Sequence, residues 1–209
     1  MLAWTIYLSF LGAVAVTLTP ATHPARARLT ALLTALIGLG IAIVAVLEDR
    51  SGQLITIVKT PWIPQLGIEY HLAADGISLT LVLLTGIAAV AGILFSWNVE
   101  QRVKDFFALY LVLIGAVYGV FLSFDLFQLF VFYEIAIVPK YFLIAIWGST
   151  RREYAAMKLV LYSFGGSALV LGGIAAAYVA AGQRTLNLEA LAHFPSRYIF
   201  RCGLSPWSS

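Results

Sequence analysis

Three ionisable residues stand inside apolar runs: Glu134, Lys140 and Lys158. Glu134 falls near the middle of Leu126 to Trp147, a stretch long enough to cross a hydrocarbon core as a helix. A charged side chain at that depth costs roughly 2.5 to 3.5 kcal/mol on insertion scales. Burial favours a carboxyl's neutral form and a neighbouring cation its charged form, so an acid held between the two exchanges its proton near neutral pH. That is the chemistry of a proton relay, and Glu134 is the first candidate for it. The competing expectation is a permanently protonated Glu that hydrogen-bonds a neighbouring helix and only holds a bundle together.

Lys140 and Lys158 are the cations that could set the state of Glu134. From a turn centred near Thr150 they lie at similar depths, with Glu134 deeper by roughly 9 to 12 Å. Lys140 is six residues on, which at about 100° per residue carries it off the Glu134 face. Pro139 alters that angle, because it removes an intrahelical hydrogen bond and kinks the helix. A long lysine at position 140 can equally snorkel to the interface. Lys158 sits inside Ala155-Ala-Met-Lys158-Leu-Val-Leu-Tyr162, and the expectation is an ammonium pointing between helices, connected to Glu134 through water or another residue.

The elements that must position these groups are apolar spans. Of the 209 residues 61% are hydrophobic and only 11% charged, with a mean hydropathy of +0.93. This is the composition of an all-α, polytopic membrane helix bundle. The net charge of +3 does not point to nucleic acid, because Lys and Arg sit in short loops between apolar runs, as membrane topology requires. Cys202 is the one cysteine, and His23, His71 and His193 are far apart, so no metal site and no disulfide is expected. With no Gly-rich phosphate loop and no Ser-His-Asp arrangement, no catalytic residue is assigned, and redox chemistry is expected in another chain.

About six spans are predicted, near residues 2–18, 29–47, 77–97, 106–124, 126–147 and 154–181, with an extramembrane loop at 48–75 and a polar tail at 183–209. Alternation around Gly67 to Leu72 predicts a short hairpin or extended segment on the membrane face. Asp75, just before the third span, is expected to cap it by accepting free backbone N–H groups, and Asp125 to cap the fifth. Gly165, Gly166, Gly172 and Gly173 recur at a seven-residue interval in the sixth span, a pattern that admits close approach of another helix. Arg26 and Arg28, Arg102 and Lys104, and Arg151 and Arg152 fall in alternate loops, which predicts an N-terminus facing away from the cytoplasm. Arg184, Arg197 and Arg201 in the tail oppose that rule.

Three stretches go beyond composition: Pro61-Trp-Ile-Pro through Gly67-Ile-Glu-Tyr-His-Leu-Ala-Ala-Asp75-Gly-Ile-Ser-Leu, Tyr133-Glu134-Ile-Ala-Ile-Val-Pro139-Lys-Tyr-Phe-Leu-Ile-Ala-Ile-Trp147-Gly, and Ala155 to Tyr162. Together, and in that order, they resemble the antiporter-like proton-translocating subunits of respiratory complex I, in particular chain M, or subunit 4, of NADH-quinone oxidoreductase. The resemblance runs over about residues 1 to 190. It implies an integral subunit of a membrane arm with no redox centre of its own, whose partners are the other membrane-arm subunits, the lipid bilayer and protons; NADH, FMN, iron–sulfur clusters and quinone belong to partner subunits. It further implies that Glu134 matches the family's acid on the fifth helix, which works with a lysine on the seventh, and that Lys158 matches a basic residue early in the sixth. Lys140 stands where an uncharged residue is common.

Family members continue through further helices, and Arg197-Tyr-Ile-Phe-Arg201-Cys-Gly-Leu-Ser-Pro-Trp-Ser-Ser209 is too polar and short to begin a seventh span. The expectation is an incomplete antiporter-like fold: an N-terminal fragment with a truncated or out-of-frame end, in a bacterial inner membrane. A subunit of a multi-chain Na⁺/H⁺ antiporter or membrane-bound hydrogenase, and a non-conducting structural fragment, are the alternatives.

Overall fold

A computed structural model describes residues 2–19, 24–48, 55–63 and 68–180. Six helices run α1 (Ala3–Leu18), α2 (Pro24–Glu48), α3 (Gly76–Phe95), α4 (Val103–Leu122), α5 (Leu126–Trp147) and α6 (Arg152–Ala180). Between α2 and α3 lie two antiparallel strands, β1 (Ile55–Ile63) and β2 (Ile68–Ala74). Helices α2 to α6 are long and apolar enough to cross a membrane. The 16 residues of α1 rise only about 24 Å, short of a hydrocarbon core about 30 Å thick.

Helix α4 is the centre of the bundle and packs on α1, α2, α3 and α5. Its Phe107, Leu111, Tyr118 and Leu122 are buried with Ile6 and Val16 of α1 and Val82 and Ile93 of α3. The buried positions of α2 are Ala27, Ala31, Ala35, Gly38 and Ala42. Spacings of three and four put them in one stripe, and their small size lets neighbouring backbones close in. In contrast, α6 packs chiefly on α5 and leaves most of its surface open.

The helix starts earlier than hydropathy implies at α2, because Pro24 fits a first turn, where a missing N–H costs nothing. Helix α4 ends sooner than its apolar run: Ser123 is extended and bridges Leu72 of β2, and Phe124 N–H donates to the His71 carbonyl at 2.9 Å. The predicted extramembrane segment is thus a hairpin sewn to the α4–α5 junction. Its register pairs Lys59 with His71 and Pro61 with Glu69, with an irregularity beside Pro61, a residue that cannot donate to a ladder. A Lys59–Glu69 ion pair of 3.2 Å crosses its exposed face.

Specific contacts define the two ends of the bundle. At one, the Tyr7 and Tyr70 hydroxyls meet at 3.0 Å, joining α1 to the hairpin. At the other, Arg28 Nη2 donates to the Val99 carbonyl at 2.9 Å and Trp147 Nε1 to the Gln101 carbonyl at 2.8 Å. These two bonds grip the α3–α4 link from both sides. They bring Arg28, Arg102, Lys104, Arg151 and Arg152 to one end of the molecule, opposite the hairpin.

Candidate proton-relay site

Helix α5 begins at Asp125, whose Oδ1 accepts from the backbone N–H groups of Phe127 at 2.9 Å and Gln128 at 3.2 Å. This satisfies donors that the first helical turn leaves free. The buried stripe of α5 is Gln128, Phe132, Ala136 and Pro139, and it faces α4, where Gly119 lies against the Phe132 ring. Glu134 is two residues from both Phe132 and Ala136. At about 100° per residue that turns it roughly 200° from the stripe, to the side of α5 away from α4.

The Glu134 side chain is half-buried, and its Oε1 is shielded from solvent with no hydrogen-bond partner among the described residues. Burying an unpartnered polar atom costs free energy that most folded proteins avoid. It is therefore an acid with one oxygen kept dry and unsatisfied in the middle of an apolar helix.

Neither lysine pairs with it. Among the described residues no ion pair joins Glu134 to Lys140 or Lys158. Lys140 is half-buried. Lys158, whose apolar neighbours predict an ammonium pointing between helices, is exposed among the described residues, with its ammonium 5.9 Å from the Tyr154 ring and 5.6 Å from the Tyr162 ring. Stacking between two aromatic faces one turn to either side explains that placement. Pro139 is buried inside α5 on the α4 side.

Asp75 caps α3, accepting the Ser78 backbone N–H at 2.7 Å, and that hydrogen bond lowers its carboxyl below the usual value. Gly165 and Gly172 do not make the close helix approach their spacing predicts within the described residues: a Cβ at either would meet nothing within 4 Å. The tight contacts lie elsewhere, at Gly12 against Thr34, Gly92 against Tyr110 and Gly119 against Phe132. His23, His193, Cys202 and the tail at 183–209 lie outside the described residues.

Asp125, expected as a cap, joins His71 and Gln128, which sequence reading passed over, in a polar node at the hairpin end. Asp125 is 0% exposed, Gln128 1% and His71 1%. Gln128 Oε1 accepts the His71 backbone N–H at 2.9 Å, and Asp125 Oδ2 accepts the Glu69 backbone N–H at 3.4 Å. Burial raises the Asp125 carboxyl above its usual value; its N–H donors pull the other way and the Glu69 charge adds to the rise. A glutamine inside an otherwise apolar run was the available signal for this node.

Residues 123–203 match the family described as NADH:quinone oxidoreductase/Mrp antiporter, transmembrane. Over 145 residues the chain is 39% identical to NAD(P)H-quinone oxidoreductase chain 4 2 of Thermosynechococcus vestitus, covering 69% of this chain and 27% of that protein. Over 145 residues it is 42% identical to NADH-quinone oxidoreductase subunit M of Escherichia coli K12, covering 65% and 28%. The chain thus spans about a quarter of the length of these curated relatives. Its fold matches a chain of respiratory complex I from Thermus thermophilus at a TM-score of 0.81 and 24% identity, over 96% of this chain and 41% of that one. It matches a chain of an archaeal membrane-bound sulfane sulfur reductase at 0.79 and 25% identity, over 94% and 40%. Residues 123–203 thus carry the transmembrane domain of this family, and over about two thirds of its length the chain is similar to the antiporter-like membrane subunits named chain 4 and subunit M of NADH-quinone oxidoreductase.

Proposed function

We propose that this chain is a proton-translocating membrane component of an NADH:quinone oxidoreductase, with Glu134 as the group that takes up and releases the proton. The observation that carries this reading is the dry, unpartnered Glu134 Oε1 midway along a 22-residue apolar helix. Such an oxygen gains most from a donor, a cation or water brought to it. Quinone reduction elsewhere in the assembly supplies the driving force in this reading. NADH, FMN, iron–sulfur clusters and quinone are assigned to partner subunits of the membrane and peripheral arms.

Lys140 is the nearer lysine in sequence and half-buried, whereas Lys158 reaches Glu134 only if it leaves its two tyrosines. A proton path through Lys158 therefore includes a side-chain movement or intervening water. The basic end, with Arg28, Arg102, Lys104, Arg151 and Arg152, is assigned to the cytoplasmic side of a bacterial inner membrane, which puts the hairpin on the other face.

The experiment is proton uptake by membrane vesicles containing the assembled complex, driven by NADH. Glu134→Gln should abolish the contribution of this subunit while leaving subunit content unchanged, and Glu134→Asp should retain part of it. Unchanged uptake in Glu134→Gln would remove Glu134 from the path. A likeness to a chain of the Mrp complex of Dietzia, with a TM-score of 0.76 at 21% identity, shows a shared fold. Replacing sodium with potassium in the same vesicles separates an antiporter reading from the proton reading, since the latter predicts no change.

A further inference from the structure

The polar node at the head of α5 has a role that capping does not exhaust. Asp125 uses Oδ1 to cap its own helix and Oδ2 to accept from Glu69 of β2. One turn inward, Gln128 accepts from His71 of the same strand. The Phe124 N–H to His71 carbonyl bond and the Leu72–Ser123 bridge add two more ties within the same few residues. Strand β2 and the first turn of α5 are thus joined by side-chain and backbone bonds around the buried Asp125, Gln128 and His71.

We propose that Asp125, assisted by Gln128, is a positioning residue for Glu134: it locks the first turn of α5 to β2 and so fixes the rotation and depth at which α5 presents its mid-helix acid. This rests on the reading of Glu134 as the proton-exchanging group. Glu134 lies nine residues along, about 13.5 Å at 1.5 Å per residue. No side-chain contact with Asp125 is needed over that distance, because the helix backbone between them is the connection. Rotation of α5 by one residue's angle, about 100°, would break the Gln128–His71 bond and turn Glu134 onto a different neighbour. The acceptor geometry does this work, not the negative charge. Asparagine presents only one carbonyl oxygen, so it keeps the cap but sets its Nδ2 amide against the Glu69 N–H that Oδ2 accepts; it should hold the helix start and lose that tie to β2. Alanine removes the acceptor for three backbone N–H groups at once.

The test compares Asp125→Asn, Asp125→Ala and Gln128→Leu in the assembled membrane complex, on a Cys202→Ser background. Spin labels at Thr60 of β1 and Val138 of α5, both exposed, report the distance between hairpin and helix. The infrared carboxyl band lost in Glu134→Gln reports the surroundings of Glu134. Asp125→Asn, which keeps the cap and loses the Glu69 tie, should broaden the distance distribution and shift the band only in part. Asp125→Ala should broaden the first and shift or split the second, and Gln128→Leu should do the same to a smaller extent. If Asp125→Ala prevents assembly, the Gln128→Leu arm decides alone. Parent-like distances and band in Asp125→Ala, or in Gln128→Leu where only that variant assembles, would overturn the proposal. A carboxyl band that never changes in the parent complex would instead defeat the Glu134 reading, while the distance measurement still judges the lock.

Discussion

Gly119 of α4 lies so close to the ring of Phe132 of α5 that a Cβ at Gly119 would collide with it. This contact sets how near the helix carrying Glu134 approaches the centre of the bundle. The glycine is there because a side chain would occupy the space the ring fills, not for any unusual backbone angle. Gly119→Val should therefore force α5 outward or turn Phe132 off its rotamer, at about 1 to 3 kcal/mol. A lower melting temperature in detergent checks this, and unchanged stability would show that the α4–α5 interface tolerates separation.

Asp75→Ala removes the acceptor for the Ser78 N–H and should cost about 1 kcal/mol of stability. The pH dependence follows from the lowered carboxyl. A folded-state value below the ordinary one, about 3.9, gives stability that is fully present above that value and lost as pH falls through the folded value. The difference between parent and variant, measured by thermal unfolding, should hold at neutral pH and shrink in acid. A difference that grows in acid would contradict the capping account.

Trp147→Phe should lose the hydrogen bond to the Gln101 carbonyl while keeping edge-on packing against Phe106. The expected loss is about 0.5 to 1.5 kcal/mol. Because Arg102 next to that carbonyl has φ of 50°, uncommon for a residue with a Cβ, the α3–α4 link should become the first segment to exchange its amide hydrogens. Hydrogen exchange resolved by peptide checks the position as well as the size of the effect.

The orientation assigned to the chain has a simple measurement. A cysteine placed at exposed Trp62, in a Cys202→Ser background, should react with a membrane-impermeant maleimide added to the outer face of sealed inner-membrane vesicles of periplasm-out orientation. A cysteine at Arg151 should react only from the opposite face. The reverse pattern would invert the topology.

Hydropathy alone was enough to place α5, whose bounds follow directly from Asp125, a capping residue, and Gly148, where the chain leaves helical geometry. It was not enough at the start of α2 or the end of α4. There the local apolar count says little, and a proline in the first turn and a bridge to β2 decide instead. Glu134 stood out because one acid in an apolar helix is a conspicuous cost. Gln128 did not, since an uncharged amide disturbs hydropathy less, and its partner His71 is 57 residues away in sequence. Lys158 shows the converse limit: apolar neighbours in sequence told us that its helix is apolar, but not which way its side chain leaves it. Its two flanking tyrosines, four residues to each side, carried that information.

The central claim is that Glu134 changes protonation during turnover, and infrared difference spectroscopy of the assembled complex tests it most directly. NADH-driven turnover should produce a carboxyl C=O difference band that is absent in Glu134→Gln and displaced in Glu134→Asp. An identical difference spectrum in the parent and Glu134→Gln complexes would show that this carboxyl does not exchange its proton, and would leave it a structural residue of the helix bundle.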